Sequence, residues 1–215
     1  MPVYALDERL IFPPVDHSEP DGLLAIGGDL SPERLLLAYQ SGIFPWYSEE
    51  DILWWSPDPR FVLYPPNLKI SKSMKTLFNK KAFRVTINKA FAEVISHCKN
   101  IRRDGQADTW ITPEMQAAYI KLHEMGYAYS VETWQGEELV GGLYGIRLNN
   151  AFFGESMFSK VSNASKYAFI SFVLFMEKQG VALIDCQVYT EHLESLGAEM
   201  IPREQFIREI QELIY

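Results

Sequence analysis

The sequence has little that is typical of secreted, membrane-spanning or metal-binding proteins. It contains two cysteines among 215 residues, and Cys98 and Cys186 form no spacing typical of a disulfide framework or a zinc site. The four histidines are dispersed, with no ligand spacing between them. The longest apolar run, 167–176, is too short to span a bilayer, and residues 1–10 do not resemble a signal peptide. We therefore expect a cytoplasmic protein with no metal site and no membrane partner.

Acidic residues are absent between positions 67 and 92, although the whole chain has a net charge of −8. A solvated helix face is the usual explanation of such a basic run. The lack of any balancing acid favours instead an anionic partner, such as a short piece of nucleic-acid backbone. The basic residues of this stretch are Lys69, Lys72, Lys75, Lys80, Lys81, Arg84 and Lys89.

The composition changes near Pro65 and Pro66, which predicts a boundary between a small domain, 1–64, and a larger one, 65–215. The small domain is rich in proline, glycine and tryptophan. Its Gly27-Gly28 pair lacks the remainder of a phosphate-binding loop and predicts a tight turn. Trp46, Trp54 and Trp55 predict an aromatic wall, with packing the expected role for two of the three.

The larger domain has the pattern of an α+β fold: helices first, then antiparallel strands, then strand–helix–strand. Helix-start signals stand at Ser71, Asn88 and Thr112, each before a run of apolar residues at helical spacing. Residues 140–158 read as a hairpin with its turn at Asn149-Asn150. This outline is that of acyl-coenzyme A acyltransferases, but the loop 159–165 lacks the glycines that bind a pyrophosphate, which disfavours coenzyme A.

Three polar residues of this domain are candidates for chemistry. Glu155 lies among apolar neighbours at the end of the hairpin, where a charge is costly to bury. Asp185 and Gln187 lie two apart on a predicted strand and so point to one face. If the two strands are parallel neighbours, the three side chains converge at one end of the sheet. A hydrogen-bonded core glutamate and a capping aspartate are the structural alternatives.

Eight motifs, in order, give the sequence a resemblance to a known family. They are G-L-L-A-I-G-G-D-L-S-P (22–32), G-I-F-P-W-Y (42–47), W-W-S-P-D-P-R (54–60), T-W-I-T (109–112), G-E-S-M-F-S (154–159), N-A-S-K (163–166), I-D-C-Q (184–187) and S-L-G-A (195–198). Together they resemble the bacterial leucyl/phenylalanyl-tRNA–protein transferases over nearly the whole chain. The resemblance implies a small N-terminal domain joined to an acetyltransferase-like (GNAT-like) mixed-sheet domain.

The resemblance also implies an activity and a set of site residues. The activity is transfer of Leu or Phe, with Met as a further candidate, from aminoacyl-tRNA to the N-terminal amine of proteins that begin with Arg or Lys, which marks them for N-degron degradation. Asp185 and Gln187 match the reaction centre. Substrate-binding positions are matched by Trp46, Trp110 and Glu155, and the side-chain pocket by Leu143, Phe152, Met157 and Phe169. Within the basic run we assign tRNA binding to Lys75, Lys80, Lys81 and Arg84.

The chemistry of the implied reaction is consistent with these residues. An aminoacyl ester is already activated, so no cofactor is expected, and proximity supplies much of the rate. Our hypothesis from the sequence is that Asp185, acting through Gln187, receives the proton of the attacking amine. Two other functions stay open: a coenzyme-A-dependent N-acetyltransferase, and a non-catalytic protein that binds basic N-termini or tRNA ends.

Overall fold

The computed structural model describes residues 3–47, 51–101 and 111–215, and its first part forms a four-stranded sheet. The strand order is β1-β2-β4-β3, with β1 and β2 parallel and the other pairs antiparallel. One helix follows β2. The elements are β1 (Tyr4–Leu6), β2 (Leu23–Gly27), α1 (Pro32–Gln40), β3 (Phe44–Pro45) and β4 (Leu53–Trp55).

A second, seven-stranded sheet organises the rest of the described chain. Its elements are β5 (Arg60–Leu63), α2 (Lys72–Asn79), β6 (Arg84–Ile87), α3 (Phe91–Asn100), α4 (Pro113–Glu124), β7 (Ala128–Gln135), β8 (Glu138–Leu148), β9 (Ala151–Ser159), α5 (Ala164–Lys178), β10 (Leu183–Gln187), α6 (Glu191–Glu194), β11 (Glu199–Ile201) and α7 (Arg203–Ile214). The strand order is β11-β5-β10-β9-β8-β7-β6. Only β9 and β10 pair in parallel among these described strands, so the predicted α+β class with a mixed sheet is confirmed. The division between residues 64 and 65 stays a prediction, and β5 just before it belongs to the large sheet.

Two of the three helix-start signals in the larger domain are confirmed, and the third is wrong. The hydroxyl of Ser71 accepts from the N–H of Met74 at 3.3 Å, and Thr112 caps α4 in the same way. Asn88 does not cap α3: it has a φ of 57°, and its side chain accepts from the N–H of Ser130. The buried carboxylate of Glu132 accepts from the N–H groups of Lys89 and Ala90, the two residues just before α3, at 3.2 Å.

The hairpin β8–β9 packs against α5, whose apolar residues are buried along most of its length. Gly145 in β8 is required by close packing, since a Cβ there would lie 2.2 Å from the carbonyl oxygen of Phe153 and 2.5 Å from the Phe152 ring. The register of β8 and β9 shifts at this position. The bulge and the glycine thus let the Phe152 ring lie against the backbone of the neighbouring strand.

Candidate active site

The parallel pairing of β9 and β10 brings the three candidate polar residues to one place. Asp185 pairs with Phe153, the last pair in this register, although β9 itself continues to Ser159. A cavity of about 500 Å³ opens there. Its wall includes Glu155, Asp185 and Gln187, which confirms the predicted convergence. The cavity therefore lies where the parallel pairing of β9 and β10 stops, just past Phe153 and Asp185.

The carboxylate of Glu155 faces this cavity and accepts hydrogen bonds from three neutral groups. Gln187 donates from Nε2 to Oε1 at 3.0 Å. The hydroxyl of Tyr39 also donates to Oε1, at 2.7 Å, and the hydroxyl of Tyr119 donates to Oε2 at 2.9 Å. Burial raises the pKa of Glu155 to about 7, while these three hydrogen bonds oppose the rise. The carboxyl group can therefore take up and release a proton near neutral pH.

Sequence reasoning missed the two tyrosines. Tyr39 comes from α1 and Tyr119 from α4, both rings are fully buried, and their hydroxyls contact one another as well as Glu155. Burial, followed by the charge of Glu155, raises the pKa of both phenols well above the ordinary value. They remain protonated hydrogen-bond donors. Periodicity identifies both as inward-facing residues but does not indicate their shared partner.

Asp185 has very different surroundings from Glu155. Its side chain is 0% exposed, and Arg60 holds it in a two-pronged ion pair, with Nε to Oδ1 at 2.8 Å and Nη2 to Oδ2 at 2.7 Å. Oδ1 also accepts from the N–H of Gln187 at 2.9 Å. Gln187 has a φ of 64°, and the register of β10 against β5 shifts between Asp185 and Gln187. The side chain of Gln187 is thereby directed to Glu155.

The predicted apolar pocket forms one part of the same cavity. The four predicted side chains all line it, and Ile184 joins them. Phe152 is 1% exposed and packs edge-on against Phe172 of α5 at 4.4 Å between ring centroids. We expect this part of the lining to be rigid, because both rings are packed in the protein core. The predicted lining residues are Leu143, Phe152, Met157 and Phe169.

The three tryptophans of the first sheet divide as predicted between packing and exposure. Trp54 is buried and donates from its ring nitrogen to the carbonyl of Gly27, while Trp55 donates to the carbonyl of Trp46. Trp46 is 39% exposed and lines the cavity. The wall therefore includes one partly exposed indole ring. Trp110, the other predicted tryptophan, lies outside the described residues.

Further lining residues carried no signal in the sequence. His192 lines the cavity, and burial, with the nearby charge of Lys166, lowers its pKa, so the ring is neutral near pH 7. Cys186 also lines the wall, and burial raises the pKa of its thiol, which keeps it from acting as a thiolate nucleophile.

Among the described residues, no three His, Cys, Asp or Glu side chains are grouped as a metal site would require. Neither does any helix in those ranges have the length and apolar character needed to cross a bilayer.

We define the basic surface as Lys75, Lys80, Lys81 and Arg84, the four predicted tRNA-binding residues. All four are exposed. Arg84 lies over the Trp134 ring at 5.0 Å, and none of the four forms an ion pair with another described residue. Helix α2 joins this surface to the cavity region, since Phe78 stacks on Tyr167 of α5 with 3.9 Å between ring centroids. Helix α5 also supplies Phe169 to the pocket.

Comparison with protein families gives a consistent result. A family model described as leucyl/phenylalanyl-tRNA protein transferase matches residues 62–211. A model described as the N-terminal domain of the same family matches residues 28–58. The chain is 61% identical over 206 residues to a leucyl/phenylalanyl-tRNA–protein transferase of Flavobacterium johnsoniae, covering 95% of this chain and 97% of the relative. It is 55% identical over 215 residues to a protein of the same name from Syntrophobacter fumaroxidans, covering 100% and 92%.

Similarities to solved structures are remote. The structure of L-PGS from Bacillus licheniformis matches with a TM-score of 0.41 at 12% identity, over 80% of this chain and 57% of that chain. A GCN5-related N-acetyltransferase from Kribbella flavida matches with a TM-score of 0.36 at 10% identity, over 80% and 61%. These scores are too low to support conclusions about activity. The family models and the sequence relatives are decisive: the chain belongs to the leucyl/phenylalanyl-tRNA–protein transferase family.

Proposed function

We propose that this enzyme transfers Leu or Phe from aminoacyl-tRNA to the N-terminal amine of proteins that begin with Arg or Lys, marking them for N-degron degradation. Family membership supports the coarser part, an aminoacyltransferase that moves an aminoacyl group from tRNA to a protein. The observation that carries the finer part is the cavity, in which an apolar pocket adjoins the Glu155–Gln187 pair. Met is a further candidate for the transferred residue.

The apolar part of the cavity suits the side chain of the transferred amino acid. Leu143, Phe152, Met157 and Phe169 offer an aliphatic or aromatic side chain an apolar environment, worth about 1.5–3 kcal/mol for complete burial. A methionine in the wall is adaptable, because its side chain is flexible and polarizable. This adaptability is consistent with acceptance of both a branched aliphatic and an aromatic residue.

Peptide-bond formation needs an amine, an ester and an acceptor for one proton. The neutral amine nitrogen attacks the ester carbonyl carbon, a C–N bond forms, and the C–O bond to the ribose breaks. The amine loses a proton, and the departing ribose oxygen gains one. An α-amine has a pKa of about 7.7–8.0, so an appreciable fraction is neutral near pH 7 without any cofactor.

We assign the proton transfer to Glu155, because it faces the cavity and its pKa is about 7. Gln187, hydrogen-bonded to Glu155, orients the amine beside the ester. Asp185 supports Gln187 and does not take the proton itself in this proposal, because Arg60 donates hydrogen bonds to both of its carboxylate oxygens. This division of roles modifies the hypothesis drawn from the sequence, in which Asp185 received the proton.

In this proposal, different residues bind the tRNA and the acceptor protein. Trp46 presents a partly exposed indole ring for the terminal adenosine, and Trp110 is proposed for the same site from its motif. The basic surface binds tRNA phosphates. The negative charge of Glu155 near the cavity favours an acceptor that begins with Arg or Lys.

One mixed assay separates this function from its two rivals. The purified protein is incubated with leucyl-tRNA and acetyl-coenzyme A, each with its own label, and with two peptides that differ only in a first Arg or a first Ala. We expect the leucyl label on the Arg peptide alone. Label from acetyl-coenzyme A would identify an acetyltransferase, and binding of both ligands without transfer would identify a non-catalytic protein. Equal labelling of the two peptides would contradict the acceptor preference.

A further inference from the structure

We infer that Arg60 is a positioning residue for aminoacyl transfer: it fixes the carboxylate of Asp185 and thereby the backbone turn that presents Gln187 to the cavity. The inference rests on the proposed function. Arg60 itself does not line the cavity, so its effect on the reaction must pass through Asp185. The chain of contacts is continuous from Arg60 to the cavity-facing Glu155.

The first link is the guanidinium of Arg60, which two aromatic rings contact. The Phe44 ring lies 4.7 Å and the Phe206 ring 4.6 Å from the central carbon of Arg60. Phe44 belongs to β3 of the small sheet and Phe206 to α7 at the end of the chain. The aromatic rings attract the cation and also exclude water from it, since Arg60 is 0% exposed. The guanidinium therefore has little freedom to rotate or withdraw.

The second link is the carboxylate of Asp185. Its two oxygens accept from Nε and Nη2, the two-pronged arrangement that fixes an orientation as well as a distance. A buried ion pair contributes little net stability, because both charges lose their hydration. The cost is visible here, as Nη1 of Arg60 is buried with no hydrogen-bond partner in the described chain. Positional control is a better account of this pair than stability.

The third link is the left-handed backbone of Gln187. A φ of 64° is uncommon for a residue other than glycine, so neighbouring contacts must maintain it. Asp185 Oδ1 supplies one by accepting from the N–H of Gln187 at 2.9 Å. The turn points the Gln187 amide at Glu155, which accepts from it at 3.0 Å. A small rotation of the Asp185 carboxylate would therefore displace the amide that we propose orients the attacking amine.

The experiment compares steady-state leucyl transfer by the wild type and Arg60→Gln, each corrected for the folded fraction. We expect kcat to fall about 100-fold, the size of effect known for reacting groups displaced by about 1 Å, while KM for tRNA and peptide stays unchanged. Arg60→Lys should restore only part of kcat, because one ammonium group cannot reproduce the two-pronged arrangement. Arg34→Gln is the matched control: Arg34 is also 0% exposed, but its partners are Asp7 and Asp29 and not Asp185, so its kcat per folded molecule should equal that of the wild type.

Phe206→Leu keeps the inference testable if Arg60→Gln does not fold. It removes one aromatic face of the clamp and leaves both charges, and we expect a severalfold lower kcat with unchanged KM. A wild-type kcat in any folded Arg60 or Phe206 variant would overturn the inference while leaving the proposed function intact. An equal decrease in Arg34→Gln would also overturn it. Absence of transfer by the wild type would instead refute the proposed function, and the inference with it.

Discussion

The cavity and the basic surface differ in how far the protein neutralises its own charges. In the cavity, Asp185 is paired with Arg60, and Glu155 receives three hydrogen bonds from neutral groups. On the basic surface, four exposed cations have no acidic partner among the described residues. Short, buried contacts are weakly screened by salt, whereas exposed charges are strongly screened. The cavity should therefore govern the rate of the reaction, and the surface should govern tRNA affinity and its dependence on salt.

The largest effect should come from Glu155→Gln. The variant keeps an acceptor oxygen for its neighbours but cannot take up the proton, so we expect kcat to fall at least about 100-fold at pH 7.5. In the wild type, Glu155 is charged above its pKa of about 7 and protonated below it, so kcat should fall as the pH drops through 7. The variant should lack this step and retain only the ionisation of the substrate amine. Rate profiles from about pH 5.5 to 9 measure both.

Glu132→Gln is a suitable control for that measurement. Glu132 is also a buried, multiply hydrogen-bonded carboxylate, but it holds the start of α3 and does not line the cavity. The Glu132→Gln variant should have a lower thermal stability but should keep the fall of kcat near pH 7. A Glu155→Gln profile that keeps this step would assign it to another group.

A smaller effect is expected from Met157→Ala in the apolar pocket. The truncation removes part of the wall, and we expect kcat/KM with leucyl-tRNA to fall about 10–200-fold. The decrease with phenylalanyl-tRNA should be smaller, because its larger side chain can occupy the added space. The salt dependence should not change. Met200→Ala, which alters a 44% exposed methionine on β11, is the control. Equal decreases for both substrates would show that Met157 does not select the side chain.

The smallest effect on the chemical step should come from reversal of Lys80, Lys81 and Arg84 to Glu. The variant should have a raised KM for tRNA and an unchanged kcat at saturation. The slope of log affinity against log salt should become shallower by about 1 for each tRNA phosphate that the variant no longer binds. Lys178→Glu, a single reversal at the exposed end of α5, should leave the slope unchanged. If the triple variant kept the wild-type slope, tRNA would have to bind elsewhere on the protein.

Local signals in the sequence were sufficient to predict most of the larger domain. Ser71 and Thr112 mark helix starts because capping depends on residues only three positions apart. The convergence of Glu155 with Asp185 followed from a short strand–helix–strand unit. Asn88 is not a cap because its side chain accepts instead from the N–H of Ser130, 42 positions along the chain.

Long-range partners were beyond the reach of the sequence pattern. The Arg60–Asp185 pair spans 125 positions, and Tyr39 reaches Glu155 across 116. No periodicity relates residues so distant. Arg60 ends the W-W-S-P-D-P-R motif, but the motif does not indicate its partner. The pairing of β5 with β10 in the sheet brings Arg60 to Asp185.

The contact between Tyr39 and Glu155 has a consequence for how the enzyme can be divided. Glu155, the proposed proton acceptor, is bound by Tyr39 from a helix in the N-terminal part of the chain. Its neighbour Asp185 is bound by Arg60, which lies on the same side of the proposed boundary. A fragment beginning at residue 65 would retain the pocket and the basic surface yet lack both partners. We expect such a fragment to keep the proposed tRNA-binding surface but to have an incomplete candidate site, so the residues before 65 need to be expressed together with the rest.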